Sequence, residues 1–251
     1  MTTPPNIYEF ATSELSQDAT LAYILSYSKS EHREGYADLN RLGKLLLRSL
    51  ARAAAEAQGI TSPLQGKPIE KIEIKTQDKG IDVSVKVNDA IWLIIEDKIM
   101  ASEHSDQINR YVRRAKQSDG GRWHVMPVYV KTGNESRPGS DLPHGIFLRK
   151  DLLAVLDQAQ DIDNTIVREF REHLVRWEKL TDSFRHKSCD QWTRESLAKE
   201  GYYMALELWL GELQDNTPHD PGWGYVSNQS GGFLGFWWHW RIFERCPCSL
   251  Y

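Results

Sequence analysis

The chain has 251 residues, 40% of them hydrophobic and 26% charged, a balance that excludes collagen-like and low-complexity classes and points to a folded core. Its formal net charge of −4 at pH 7 excludes a uniformly basic protein that coats nucleic acid, so contact with phosphates has to come from a local patch. Three cysteines, two of them in Cys246-Pro247-Cys248, make no disulfide framework, and neither paired Cys-x-x-Cys nor His-Glu-x-x-His supports a zinc site. Met1-Thr2-Thr3-Pro4-Pro5 carries no secretory leader pattern, and no apolar run has membrane-spanning length, so a cytoplasmic protein without membrane contact is expected.

In chain order, Ser13 suits the N-cap of a helix striped by Leu15, Ala19, Leu21, Ala22, Ile24 and Leu25, running to about residue 29. Asp38 is expected to cap a second helix, with Leu39, Leu42, Leu45, Leu46, Leu50 and Ala53 on one side and a stop at Gly59. Ile69 to Ile74 alternates as a strand. Asp82 to Val87 also alternates, and Ala90 to Ile95 is a β-branched apolar run; Asn88-Asp89 between them makes the pair a hairpin. Residues 103 to 117 read as a helix with an apolar stripe of Ile108, Val112 and Ala115 and a neighbouring stripe of Gln107, Tyr111 and Arg114. A short strand, Val125 to Val130, precedes a Gly/Pro/Ser/Asn-rich loop from Lys131 to Pro143. Asp151 to Gln158, Ile162 to Leu180 and Asp190 to Gln214 read as amphipathic helices, and Trp223 to Val226 and Phe233 to Phe243 as aromatic strands. Trp237, Trp238 and Trp240 could stack bases, but such residues in a strand belong more often to a core.

The chemistry concentrates in the hairpin. With a three-residue loop at 88 to 90, paired positions sum to 178 and Asp82 faces Glu96, fourteen residues later. Side chains two apart on a strand share a face, so Lys98 joins them while Asp97 points away. A core strand has no packing reason to end on Glu-x-Lys facing an Asp. A divalent metal beside a nucleophilic water needs that set.

Gly80-Ile81-Asp82 followed by Glu96-Asp97-Lys98 resembles the signature of the PD-(D/E)XK nuclease superfamily, lacking only the Pro of its name. Gln107 and Tyr111 look like the Q-x-x-x-Y element of its RecB and lambda-exonuclease branch. Glu14-Leu15-Ser16-Gln17-Asp18-Ala19 is similar to the helix start where that branch carries a further carboxylate. The resemblance covers roughly residues 6 to 150. It implies a restriction-endonuclease-like α/β fold with an α-β-β-β-α-β core and a mixed central sheet over residues 1–150. A helical and β appendage of unknown role would fill residues 151–251.

The resemblance also implies a metal-dependent nuclease acting on DNA, with RNA not excluded. Asp82 and Glu96 would hold Mg²⁺, for which Mn²⁺ can substitute, with help from the Asp97 carbonyl. Lys98 would act on the attacking water, and Gln107 would serve the same centre. Glu14 would complete the metal site, with Asp18 as the competing candidate. From Lys98 to Arg122 six basic residues stand against three acidic ones, so Arg110, Tyr111 and Arg114 are expected to meet the nucleic acid. Bacterial antiviral defence or restriction, alongside partner proteins, is the implied setting. The alternative is a catalytically inactive nuclease fold that binds nucleic acid or a protein.

Overall fold

Alternation and helical striping resolve into the expected elements. The structure, a computed structural model, describes residues 5–100, 107–138, 144–159, 161–192, 196–213, 221–229, 231–243 and 246–250, with side chains through Trp238 apart from Asp119. The chain divides into two compact units: residues 1–133 with 139–175, and residues 134–138 with 176–251.

In the first unit, α1 (Glu14–Ser26) is capped by Ser13, whose hydroxyl accepts from the Ser16 N–H. Helix α2 (Ala37–Ala57) begins directly after Tyr36, so Asp38 lies in its first turn and pairs with Arg41 instead of capping. Gly59, at φ +66°, ends α2 as expected. Strands β1 (Ile72–Asp78), β2 (Ile81–Val87) and β3 (Ile91–Lys98) follow as an antiparallel meander. Strand β1 begins three residues after Ile69, which is nevertheless buried. Helix α3 (Gln107–Gln117) leads to β4 (His124–Lys131), and β5 (Gly145–Leu148), absent from the sequence reading, comes next. The five strands lie in the order β1-β2-β3-β4-β5, with β3, β4 and β5 mutually parallel, so the sheet is mixed. Residues 103–106 of the expected third helix lie outside the described residues.

Strand alternation sorts the apolar residues to two faces. Val83, Val85, Val87, Leu93 and Ile95 pack with Leu21, Ile24 and Leu25 of α1 and with the leucine face of α2. Each such side chain, fully buried, contributes about 1.5–3 kcal/mol. On the other face Trp92 and Ile94 pack with Tyr111 and Ala115 of α3. Gly145 brings β5 so close to α2 that a Cβ there would strike the backbone of Ala53 and Ala54. Helix α4 (Arg149–Leu156) and most of α5 (Thr165–Asp182) complete this unit.

The second unit contains α6 (Cys189–Trp192) and α7 (Ser196–Leu213) with an antiparallel sheet of β6 (Gly222–Val226), β7 (Phe233–Phe243) and β8 (Cys246–Leu250). Tyr203 of α7 packs on Phe236 and near Trp223. The side chain of Trp240 lies outside the described residues. Among the described residues no helix is long and apolar enough to cross a membrane.

Candidate active site

The β2–β3 register pairs Val83 with Ile95 and Val87 with Ile91, the alignment that faces Asp82 toward Glu96 at the next step. Both share the sheet face of Trp92 and Ile94, as does Lys98 two residues on. Lys98 Nζ lies 2.7 Å from Glu96 Oε1, 3.4 Å from Asp82 Oδ2 and 3.6 Å from Glu14 Oε2. Residues from three elements thus meet around one ammonium. The α1 N-terminus is tied to the end of β3 by Glu14, whose Oε1 accepts from the Ile99 N–H at 3.1 Å. Asp82 is fixed from behind, since its Oδ2 accepts from the Asp97 N–H at 2.9 Å. The Asp97 carbonyl accepts from Lys98 Nζ at 2.9 Å.

Burial makes this cluster electrostatically expensive. Glu96 and Asp97 are fully buried and Asp18 is 2% exposed. Burial, and then the charge of Asp82, push the Asp18 carboxyl up to about 7, against the opposing pull of Gln77 and Lys98. Burial, followed by the nearby Asp18, raises Asp97 well above the ordinary carboxylate range. Burial alone would lower the Lys98 ammonium, but Glu96, Asp82 and Glu14 outweigh it and hold Lys98 above its ordinary value. Five carboxylates (14, 18, 82, 96 and 97) therefore gather near one lysine.

Among the described residues, no three Asp, Glu, His or Cys side chains are grouped as a metal ion requires; the carboxylates close on Lys98 instead. The chemistry of the donor set nevertheless suits a hard divalent cation, because every group is a carboxylate or carbonyl oxygen. Among the described residues the buried Asp18 Oδ1 has no hydrogen-bond partner, and Gln77 joins Asp18 to Asp82, so a cation beside Asp82 would relieve that cost.

Gln107 and Tyr111 form a pair on α3. Gln107 Nε2 donates to the Tyr111 hydroxyl at 2.9 Å. Tyr111 is buried over the β1–β2 turn, where Gly80 has φ +88° and a Cβ would lie 2.8 Å from its hydroxyl oxygen. Glycine takes that conformation without strain, in the turn two residues before Asp82. Arg110 and Arg114 are exposed on α3.

Sequence reasoning missed three features. Gln77, on β1 at φ +53°, donates to Asp18 Oδ2 at 2.9 Å and to Asp82 Oδ1 at 3.4 Å. Lys131 is 1% exposed and pairs in register with Lys98, placing a second lysine on the same sheet face. Gln17 is 4% exposed and bonds Asp97. The signal for Gln17 was present: Glu14, Gln17 and Asp18 continue the inward stripe of Leu21, Ile24 and Leu25, while Leu15 is 61% exposed.

A five-stranded mixed sheet flanked by helices, with carboxylates and a lysine meeting at its strand ends, defines a restriction-endonuclease-like protein. The family model of the PD-(D/E)XK nuclease superfamily matches residues 5–140, more than half of the chain, and the chain belongs to that superfamily. No curated protein and no solved structure matches it.

Proposed function

We propose that this protein is a metal-dependent nuclease that hydrolyses phosphodiester bonds of DNA. The observation that supports it most is the meeting of Glu14, Asp82 and Glu96 within 3.6 Å of Lys98 Nζ at the strand ends, in a chain of the nuclease superfamily. Asp82 and Glu96, with the Asp97 carbonyl, hold Mg²⁺, and Mn²⁺ can replace it. A bound ion supplies Lewis acidity to a phosphoryl oxygen and makes an adjacent water more acidic. Lys98 orients the attacking water and offsets the negative charge that grows on the phosphorus oxygens. Glu14 holds a second ion or its water. Gln107, steadied by Tyr111, orients the substrate strand, and Arg110 and Arg114 take backbone phosphates. Antiviral defence or restriction, with partner proteins, is the setting this activity fits.

A second reading, a nuclease fold that binds nucleic acid or a partner without cutting, is favoured by one observation: the carboxylates close on Lys98, and among the described residues no three are grouped as a metal ion requires. A 5′-labelled duplex incubated with Mg²⁺ or Mn²⁺ separates the two. Hydrolysis by wild type and none by Lys98→Ala, assayed at a temperature where the variant is folded, supports the nuclease, because the lysine acts on the chemical step. Retention of the intact duplex by both proteins supports the second reading.

A further inference from the structure

Behind the proposed active site lies a buried polar chain that the mechanism does not use. Gln17 Nε2 donates to Asp97 Oδ1 at 2.6 Å, and Gln17 Oε1 accepts from the Thr132 hydroxyl at 2.8 Å. The Thr132 N–H donates to the Lys98 carbonyl at 3.2 Å, and the Thr132 carbonyl accepts from Arg149 of α4. Gln17, Asp97 and Thr132 are all at most 4% exposed. They lie on the α1 and α2 side of the sheet, opposite the face that carries Glu96 and Lys98.

The residue at position 17 has a narrow chemical specification. It must donate to one neighbour and accept from the other across the width of a helix–sheet contact. A Gln amide does both, Glu lacks the donor, Asn is one methylene short, and Leu does neither. A leucine would extend the apolar stripe of α1, but it would leave the buried Asp97 carboxyl and Thr132 hydroxyl without their amide partner. What the amide secures is position. Asp97 supplies the N–H that fixes Asp82 and the carbonyl that meets Lys98. Gln17 also lies one helical turn after Glu14, on the same face.

We propose that Gln17 is a positioning residue that locks α1 to the ends of β3 and β4 and thereby holds Glu14, Asp82 and Lys98 in place around the proposed metal site. This rests on the nuclease reading above, and deepens it. Outer partners of this type typically change metal affinity or activity by about 10- to 100-fold when removed.

The test compares full-length wild type, Gln17→Leu, Thr132→Val and Thr132→Ser. Two quantities are read: the Mn²⁺ concentration that gives half of the thermal stabilisation, and kcat and KM on a DNA duplex. Gln17→Leu is expected to raise the Mn²⁺ midpoint at least tenfold and to lower kcat at least tenfold, with KM for DNA within about twofold. Thr132→Val shifts both in the same direction by less, and Thr132→Ser, which keeps the hydroxyl, stays at the wild-type values. If Gln17→Leu does not fold, the Thr132 pair decides. A wild-type Mn²⁺ midpoint in Gln17→Leu, or equal losses in Thr132→Val and Thr132→Ser, overturns the proposal. A wild type that binds Mn²⁺ but cuts nothing refutes the nuclease reading and leaves the midpoints to judge Gln17. A wild type without any Mn²⁺ response refutes the role given to Gln17 as well.

Discussion

Removing the Lys98 ammonium should unsettle the metal-free protein while improving its grip on metal. Lys98→Ala deprives Glu96, a fully buried carboxylate, of a cation 2.7 Å away. Breaking a buried ion pair from one side costs about 3–5 kcal/mol. The contacts with Asp82 and Glu14 are longer and partly solvated, and add about 0–1 kcal/mol each. At about 2–4 °C per kcal/mol for a chain near this size, the metal-free melting temperature should fall by about 6–28 °C. The fold is thus more sensitive to this change than a surface hairpin would be. A divalent ion would then meet the same carboxylates without a competing cation. Each tenfold gain in affinity adds about 1.4 kcal/mol of stabilisation at saturation, so the Mn²⁺-induced shift should be larger in Lys98→Ala than in wild type. Thermal melts in EDTA and across a Mn²⁺ series measure both effects. A metal-free melting temperature within 2 °C of wild type, or a smaller Mn²⁺ shift, would refute the reasoning.

Asp82→Asn should remove most of the metal-induced stabilisation; calorimetric titration with Mn²⁺ at wild-type affinity would take Asp82 out of the site. The Asp18 carboxyl, pushed up to about 7 by burial and Asp82, keeps a proton in the folded state that an unfolded carboxyl near pH 3.9 has already lost. Its contribution therefore favours the metal-free fold below about pH 4, fades between about pH 4 and 7, and is gone above that. Urea melts in EDTA at pH 5 and 7.5 should show a smaller loss for Asp18→Asn than for wild type, and equal losses would exclude Asp18 as the source. Neutralising Arg110 and Arg114 together should weaken binding to all DNA sequences and reduce the salt slope by about 2 units; an unchanged slope would make this helix face merely solvated. Gly80→Ala, at φ +88° and against the Tyr111 hydroxyl, should destabilise by about 1–3 kcal/mol, and a wild-type urea midpoint would show that the turn adapts.

Much of this arrangement was legible because hairpin geometry is strict. Once Asn88 and Asp89, at φ +50° and +51°, take the turn, strand parity places Asp82, Glu96 and Lys98 on one face. Helical periodicity similarly located α1, α2 and α3. Strand β5 escaped because Gly145-Ile146-Phe147-Leu148 is too short to show a period, and β8 because Cys246-Pro247-Cys248 reads as a strand breaker. The Asp97 side chain was correctly turned away from the lysine face, yet its burial depends on α1 crossing that spot, which strand parity cannot show. Gln17 and Asp18 were hidden by their polarity: the stripe was drawn through Leu15, whereas the helix turns Leu15 to solvent and two polar side chains inward.

The central claim, that the carboxylates around Lys98 carry out metal-dependent hydrolysis, is tested most directly on supercoiled plasmid. Wild type and Glu96→Gln, each confirmed as folded by circular dichroism, are incubated with Mg²⁺, Mn²⁺ or EDTA and the products resolved on agarose. Nicked or linear DNA is expected from wild type with either metal, with none in EDTA and none from Glu96→Gln. Cleavage that persists in EDTA, or that Glu96→Gln matches, would contradict the account.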